Sequence, residues 1–315
     1  MSFYGLVDGS EKSLLQFLHQ LPGVDQVGAE SRAAMLATRS IKTSAKKWAI
    51  DTAISMVDLT TLEGADTPGK VRALCAKAVR PDPTDSSVPS VGAICVYNDM
   101  VKIARTHLDA IGGKAVPVAA VSTAFPSGRA SMDVKIRDTQ DAIDAGAAEI
   151  DMVIDRGAFL AGNYGLVFEE IVKIRQVCGD KAHLKVIFET GELVTYDNVR
   201  KASYLAMLAG ADFIKTSTGK VAPAATPPVV LVMLEAVRDF YEMTKRRIGV
   251  KPAGGIRTTK DAIKQLVLVN ETAGPEWLTP QYFRIGASAL LNDLLMQRMK
   301  MEDGYYASPQ YVTID

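Results

Sequence analysis

Short apolar runs alternate with longer segments of helical periodicity along most of this chain. Each run is bounded by glycine, proline or polar residues, which is typical of a buried strand. The pattern predicts eight strands, at Ile54–Leu59, Ser90–Tyr97, Ala115–Ser122, Ala148–Ile154, His183–Glu189, Asp212–Thr216, Ile248–Pro252 and Tyr282–Gly286.

Segments with apolar residues at helical spacing separate these strands. Several begin at a residue that caps helices well and end at a glycine, as helices commonly do. The predicted helices run from Thr67 to just before Pro81 and over Asn98–Ile111, Asp133–Ala145, Thr195–Ala209, Thr258–Asn270 and Ser288–Met301, and Thr226 opens a further long helix.

The alternation of eight strands with helices predicts a (β/α)8 TIM barrel with an N-terminal helical extension. An open, doubly wound sheet is the alternative, but no GxGxxG string follows the first strand. Polar residues also follow many of the strands, whereas a doubly wound sheet concentrates them at one switch point. We divide the chain into an N-terminal helical extension (1–50), the barrel (51–301) and a C-terminal tail (302–315).

The composition of the chain argues against several classes of binding partner. The 315 residues carry 36 Lys and Arg and 36 Asp and Glu, so the formal net charge is zero. A chain without a basic field is not expected to bind nucleic acid or a membrane surface. Its three cysteines are widely spaced in apolar surroundings, which indicates buried thiols and a cytoplasmic location. Its three histidines lack ligand spacing, so we expect no metal.

Three lysines lie in three successive apolar strands. Lys185 is in the fifth strand, Lys215 closes the sixth and Lys251 closes the seventh. Burial disfavours the ammonium form, and a neutral amine is a nucleophile. If the alternating faces point inward, Asp58 and Asp151 join these lysines in one charged layer. The layer is interpreted either as an amine catalyst, with Asp151 moving protons, or as ion pairs that only neutralise one another.

Glycine-rich turns follow the last three strands. Gly254-Gly255 follows the seventh strand, and Gly286-Ala287-Ser288 follows the eighth and opens a helix. Loops in these positions of a barrel often bind phosphate through backbone N–H groups and a helix N-terminus. Ser217-Thr218-Gly219, after the sixth strand, adds further donors. The turns therefore predict a phosphorylated ligand.

Seven strings, in order from about residue 50 to about residue 300, resemble deoxyribose-phosphate aldolase. KTSTGK and KPAGG together are highly specific for that family. The strings are VDLTTL (57–62), AICVY (93–97), EIDMV (149–153), LKVIFETGEL (184–193), ADFIKTSTGK (211–220), KPAGGIRT (251–258) and RIGAS (284–288).

The resemblance implies a cytoplasmic lyase of deoxyribonucleotide catabolism and carbohydrate degradation. Its reaction is the reversible cleavage of 2-deoxy-D-ribose 5-phosphate to D-glyceraldehyde 3-phosphate and acetaldehyde. The resemblance also implies a reaction through a lysine Schiff base without a cofactor, with these small molecules as the partners, and a possible homodimer.

The resemblance assigns roles residue by residue. Lys215 matches the Schiff-base lysine, Lys251 the lysine that lowers its pKa, and Asp151 the proton relay. Supporting pocket residues are Asp58, Lys185, Cys95 and Thr218, and the expected phosphate-binding residues are Gly219, Lys220, Gly254, Gly255, Gly286 and Ser288.

The chain departs from the family pattern in two places. Ala289 stands where a second serine often follows the GAS string, so one hydroxyl contact to phosphate is expected to be missing. Some members end in a tyrosine that enters the site, for which Tyr311 is the candidate; an ordinary disordered tail is the alternative. Two rival functions stay open: another Schiff-base aldolase or transaldolase, and a non-catalytic barrel that binds a sugar phosphate.

Overall fold

Eight parallel strands form the centre of the molecule. The computed structural model describes residues 4–42, 44–305, 308 and 312. The strands are β1 (Val57–Thr60), β2 (Ala93–Val96), β3 (Val118–Ser122), β4 (Glu149–Val153), β5 (His183–Ile187), β6 (Phe213–Lys215), β7 (Gly249–Lys251) and β8 (Ile285–Ala287).

Each strand from β1 to β6 pairs with the next along the chain, and β8 pairs with β1. Two single parallel bridges, Val250 with Phe283 and Ala253 with Gly286, join the β7 side to the β8 side. These contacts bring the sheet round on itself. The predicted (β/α)8 barrel is therefore confirmed, and all eight strands lie within or beside the predicted runs.

Helices surround the barrel. Short 3-10 helices lie at Asn98–Met100, Thr190–Glu192 and Pro275–Trp277. The α-helices are α1 (Glu11–Gln20), α2 (Gln26–Ala37), α3 (Ser44–Met56), α4 (Pro68–Val79), α5 (Val101–Ala110), α6 (Met132–Asp144), α7 (Arg156–Leu160), α8 (Tyr164–Cys178), α9 (Tyr196–Leu208), α10 (Pro227–Thr244), α11 (Thr259–Thr272) and α12 (Leu290–Asp303).

The first predicted strand began too early. Residues 54–56 form the last turn of α3, and β1 starts only at Val57. Ile50, Ala53 and Ile54 are fully buried at helical spacing, where α3 packs against α11 and α12. The apolar run therefore serves first a helix and then a strand, and its composition does not mark the change.

The N-terminal helices pack on the outer helices of the barrel. Leu14 and Leu18 are buried where α1 meets α8 and α9, while α2 packs on α10 and α11. Helix α3 crosses the predicted boundary between residues 50 and 51. The division of the chain into an extension and a barrel at that point stays a prediction.

Tyr311 lies outside the described residues. No helix in the described ranges is long and apolar enough to cross a membrane.

Strand register brings the charged residues to one level. Asp151 lies beside Lys185 across β4 and β5, and Lys215 lies beside Lys251 across β6 and β7. Asp58 on β1 is opposite Gly286 on β8. Most of these residues are fully buried and Lys215 nearly so, which places their side chains inside the barrel.

Candidate active site

Asp151 is the common acceptor for three buried lysines. Its Oδ2 accepts hydrogen bonds from Lys215 Nζ at 2.7 Å and from Lys251 Nζ at 2.7 Å. Its Oδ1 accepts one from Lys185 Nζ at 3.1 Å. The structure thus brings together the three residues predicted to be catalytic and one predicted supporting residue.

A second set of ion pairs lies next to this centre. Asp58 Oδ2 is 2.6 Å from Lys251 Nζ, and Asp58 Oδ1 accepts from Arg284 Nη1 at 2.6 Å. Arg284 Nη2 also donates to Glu149 Oε1 at 3.0 Å, and the other Glu149 oxygen accepts from Lys185. These residues form a continuous chain of ion pairs, so each buried charge has at least one partner of opposite sign.

Sequence reasoning missed Arg284 and did not assign Glu149 to the site. Side-chain alternation was the available signal, since Glu149 shares a strand face with Asp151 and Arg284 shares one with Gly286. Each belongs to a string that was already recognised. Their pairing across the barrel is visible only in three dimensions.

The pKa values of the two neighbouring lysines in the centre, Lys215 and Lys251, are shifted in opposite directions. Burial lowers the pKa of Lys215; Asp151 partly opposes this, and Lys251 adds to the lowering. Burial also disfavours the Lys251 ammonium, but Asp151 and Asp58 outweigh it and raise its pKa well above the usual value. Burial opposes the Asp151 carboxylate, yet the three lysines hold its pKa well below the usual value. Among the three lysines, Lys215 is the one whose pKa is lowered, which brings it closer to the neutral form than Lys185 or Lys251.

A cavity of about 390 Å³ opens above this centre. Lys215 is part of the cavity wall and is 3% exposed. Lys185 and Lys251 are fully buried and do not line the cavity. The predicted residues on its wall are Lys215, Thr218, Gly219, Lys220, Gly254, Gly255, Gly286 and Ser288.

One side of the cavity has the features of an anion site. Ser288, Ala289 and Asn292 line it at the beginning of α12, where backbone N–H groups are unpaired and the helix dipole is positive. Gly254 adopts φ +83°, a conformation that favours glycine, in the turn after β7. Lys70 and Arg257, which sequence reasoning did not select, add positive charge to the wall.

Lys220 reaches across the mouth of this cavity. Its Nζ is 2.8 Å from Glu63 Oε1, in the loop after β1. The loop that carries Lys220 is fixed from below, because the backbone N–H and the hydroxyl of Thr218 both donate to the buried carboxylate of Glu189. Thr218 therefore acts both as part of the cavity wall and as the anchor of its loop.

Gly286 makes room for Lys251. A Cβ at Gly286 would lie 3.2 Å from Lys251 Cε and 2.9 Å from the Cβ of Ala253. The second distance is closer than carbon atoms pack in proteins. Gly286 therefore lines the cavity and also lets the Lys251 side chain pass.

Cys95 is fully buried beside the charged centre and is not part of the cavity wall. Burial raises the pKa of its thiol. It packs in a small apolar cluster inside the barrel with Leu62, Ala119 and Val121, next to Tyr97 and Phe125. Among the described residues, no group of three or more His, Cys, Asp or Glu side chains is placed to hold a metal ion.

The fold and this site define a class of protein: a (β/α)8 barrel enzyme with a buried lysine beneath a cationic cavity at the carboxyl ends of its strands. The sequence model of the DeoC/LacD family aldolases matches residues 52–295. The chain belongs to this aldolase family.

Individual relatives agree. The deoxyribose-phosphate aldolase of Mus musculus is 45% identical over 283 residues, covering 86% of this chain and 87% of the mouse protein. That of Homo sapiens is 46% identical over 264 residues, covering 81% and 82%. A crystal structure from Toxoplasma gondii ME49, provisionally assigned the same activity, superposes with TM-score 0.71 at 25% identity and covers 84% of this chain and 97% of its own. The predicted resemblance is confirmed, and the protein is a lyase.

Proposed function

We propose that this enzyme cleaves 2-deoxy-D-ribose 5-phosphate to D-glyceraldehyde 3-phosphate and acetaldehyde through a Schiff base on Lys215. One observation carries the proposal. Within the described chain, Lys215 is the one lysine that both belongs to the buried ion-pair centre and lines the cavity. The lowered pKa of that lysine, caused first by burial, supports the same role because only the neutral amine attacks a carbonyl.

The first step is imine formation. The Lys215 amine adds to C1 of the open-chain sugar phosphate, and loss of water gives a protonated imine. Asp151 accepts from both Lys215 and Lys251 at 2.7 Å, so it is placed to pass protons between them. Asp151 then acts in general acid–base catalysis, with Lys251 as the neighbouring proton source.

The second step breaks the bond between C2 and C3. A base removes the proton from the C3 hydroxyl, the C2–C3 electron pair moves into the protonated imine, and D-glyceraldehyde 3-phosphate leaves. The remaining enamine is protonated at C2 by the Asp151–Lys251 pair. Hydrolysis of the imine then releases acetaldehyde and returns Lys215 to its amine form.

The phosphate is proposed to bind on the far side of the cavity from the imine. Lys220 supplies charge, and Gly219, Gly254, Gly255, Gly286 and Ser288 line the same cavity. Without a hydroxyl at Ala289, backbone N–H groups at the start of α12 supply the contacts there. Asp58 and Lys185 support the centre through their ion pairs with Lys251 and Asp151.

The direct test is product analysis. Incubation with 2-deoxy-D-ribose 5-phosphate should yield acetaldehyde and D-glyceraldehyde 3-phosphate in equal amounts. In the reverse direction, acetaldehyde should serve as the donor. A transaldolase or another Schiff-base aldolase would instead require a different donor, so failure with acetaldehyde would contradict this substrate assignment.

We extend the proposal to setting and assembly. A role in deoxyribonucleotide catabolism and carbohydrate degradation follows from the substrate. A cytoplasmic location accords with the three cysteines, which are all unpaired and buried. A homodimer is proposed from the family resemblance. Light scattering on the purified protein would give the mass directly.

A further inference from the structure

The buried centre contains more basic than acidic side chains. Among the described residues, four basic groups and three carboxylates form one set of ion pairs no longer than 3.9 Å. If all seven were ionised, the set would carry one uncompensated positive charge, which is costly in an apolar interior. The members are Lys185, Lys215, Lys251 and Arg284, with Asp58, Glu149 and Asp151.

The partners are shared unequally among the basic groups. Arg284 pairs with Asp58 and Glu149, and Lys251 pairs with Asp58 and Asp151. Lys185 pairs with Glu149 and with Asp151, and lies 3.9 Å from Asp58.

Lys215 differs from the other three basic groups. It pairs with Asp151 alone and shares that Oδ2 atom with Lys251, each Nζ lying 2.7 Å away. Lys215 is therefore the least compensated cation of the set, and loss of its proton costs the fewest ion pairs.

We propose that Arg284 and Glu149 are positioning residues that set the charge balance of this centre, so that the missing proton is the one on Lys215. This role rests on the proposed Schiff-base function. Neither residue lines the cavity, so both act through others. Arg284 pairs with Asp58 Oδ1 while Lys251 pairs with Asp58 Oδ2, so Arg284 offsets part of the negative charge that would otherwise stabilise the lysine ammonium groups. Glu149 pairs with both Lys185 and Arg284 and compensates part of their charge, so the centre lacks one proton and not two.

Arg284 is held in one place. Its Nε donates to the carbonyl of Pro280, and its two Nη atoms donate to different carboxylates. A Cβ at Gly92 would lie 3.2 Å from Arg284 Cδ, so the neighbouring glycine leaves space for the side chain. A guanidinium with donors fixed on three sides is a fixed charge and not a mobile one.

Among the described residues, the charges near Lys215 belong either to the buried set or to the solvent-accessible cavity wall. The Cys95 thiol, on β2, has a pKa raised by burial, so it remains neutral, and β3 contributes Ala119 and Val121. The other charged groups of the buried set are Asp58 from β1, Glu149 and Asp151 from β4, Lys185 from β5, Lys251 from β7 and Arg284 ahead of β8. Those on the cavity wall are Glu63, Lys70, Lys220 and Arg257.

Opposite charge changes should shift the pH dependence in opposite directions. In Arg284→Met, one positive charge is lost, so Lys215 keeps its proton to higher pH. The rising acid limb of the kcat/KM profile should move up by about one pH unit, a roughly tenfold loss below the limb. In Glu149→Gln, one negative charge is lost and the limb should move down. The double variant restores the balance, and its limb should return towards the parent position.

Two measurements, the kcat/KM profile and the trapping rate, and one control variant distinguish the charge-balance role from a purely structural role. The rate of borohydride trapping on Lys215 should follow the same limbs as kcat/KM. Arg284→Lys keeps the charge and should keep the parent limb even if it is less stable. If Arg284→Met fails to fold, Glu149→Gln decides alone: a downward shift supports the proposal, and an unshifted limb overturns it.

Failure of this proposal is distinguishable from failure of the proposed function. Normal trapping on Lys215 with limbs that do not move in either single variant would overturn only the charge-balance role. Absence of any adduct on Lys215 in the parent enzyme would instead refute the Schiff-base function on which the role depends.

Discussion

Lys215 and Lys251 are the same residue type on neighbouring strands, yet the barrel gives them opposite chemistry. Lys251 has two carboxylates within 2.7 Å, and Lys215 has one. Burial penalises both ammonium groups, so the number of carboxylates decides which lysine retains its proton. The pair therefore consists of a fixed cation and an amine that can react.

Removal of the fixed cation should impair the amine. In Lys251→Met, Lys215 loses a neighbouring positive charge and gains sole use of Asp151 Oδ2, so its pKa should rise. We expect kcat/KM at neutral pH to fall at least a hundredfold, because fewer amines are neutral and a proton source is lost. A pH profile measures this: the acid limb should move to higher pH. An unmoved limb with full activity would contradict the role given to Lys251.

Lys220 should matter only to phosphorylated substrates. Lys220→Met removes a cation from the cavity mouth, and a hydrogen bond to a charged group contributes about 1.5–3 kcal/mol. KM for 2-deoxy-D-ribose 5-phosphate should therefore rise about tenfold or more. The matched measurement uses unphosphorylated 2-deoxy-D-ribose, whose turnover should not change. Equal losses on both sugars would place the phosphate elsewhere.

The reactive lysines could be predicted from the sequence, whereas the residues that form ion pairs around them could not. A lysine that closes a buried strand is conspicuous in a single chain, which is why Lys215 and Lys251 could be selected. Glu149 lies in β4 and Arg284 directly precedes β8, but their role depends on an ion pair between residues 135 positions apart. Such a pairing requires barrel geometry, which strand alternation alone does not supply.

At the scale of elements, short strands fix where the chemistry occurs. Strands β6 and β7 have three residues each, and both end on a lysine. All eight strands could be predicted because turn residues bound nearly every apolar run, the start of β1 being the exception. Helix α3 was missed because its buried face continues directly into β1 without a turn between them. Boundaries of this kind are decided by packing and not by local preference.

Substitution of Gly286 tests how closely β8 packs against Lys251 and Ala253 at the end of β7. In Gly286→Ala, the added methyl would approach Ala253 Cβ at 2.9 Å and Lys251 Cε at 3.2 Å, so Lys251 should shift away from Asp151. We expect kcat to fall at least tenfold while the free energy of unfolding falls by about 1–3 kcal/mol. Kinetics and chemical denaturation measure the two effects.

Gly64→Ala is the matched control for this substitution. Nothing lies within 4 Å of a Cβ at Gly64, so both quantities should stay near the parent values. If Gly286→Ala behaved like this control, the close packing around Lys251 would not be required for activity.

At the scale of the whole molecule, the N-terminal helices cover part of the barrel's outer layer. Leu14 and Leu18 are at most 2% exposed in their contacts with α8 and α9. Deletion of residues 1–42 would expose the barrel surface beneath them. Burial of one such side chain contributes about 1.5–3 kcal/mol, so we expect a loss of at least about 3 kcal/mol in the free energy of unfolding.

Chemical denaturation of the shortened protein measures this loss, with activity at low temperature as the companion readout. The charged centre lies inside the barrel and makes no contact with α1 or α2 through its ion pairs. The deletion should therefore reduce stability more than kcat. A shortened protein as stable as the parent would show that residues 1–42 form a separate extension.

The central claim is that one lysine among several buried ones forms the covalent intermediate. Borohydride reduction during turnover of 2-deoxy-D-ribose 5-phosphate, followed by peptide mass analysis, tests it most directly. The expected result is a reduced two-carbon adduct on Lys215 and none on Lys185 or Lys251. An adduct on another lysine, or inactivation without any adduct on Lys215, would contradict the account.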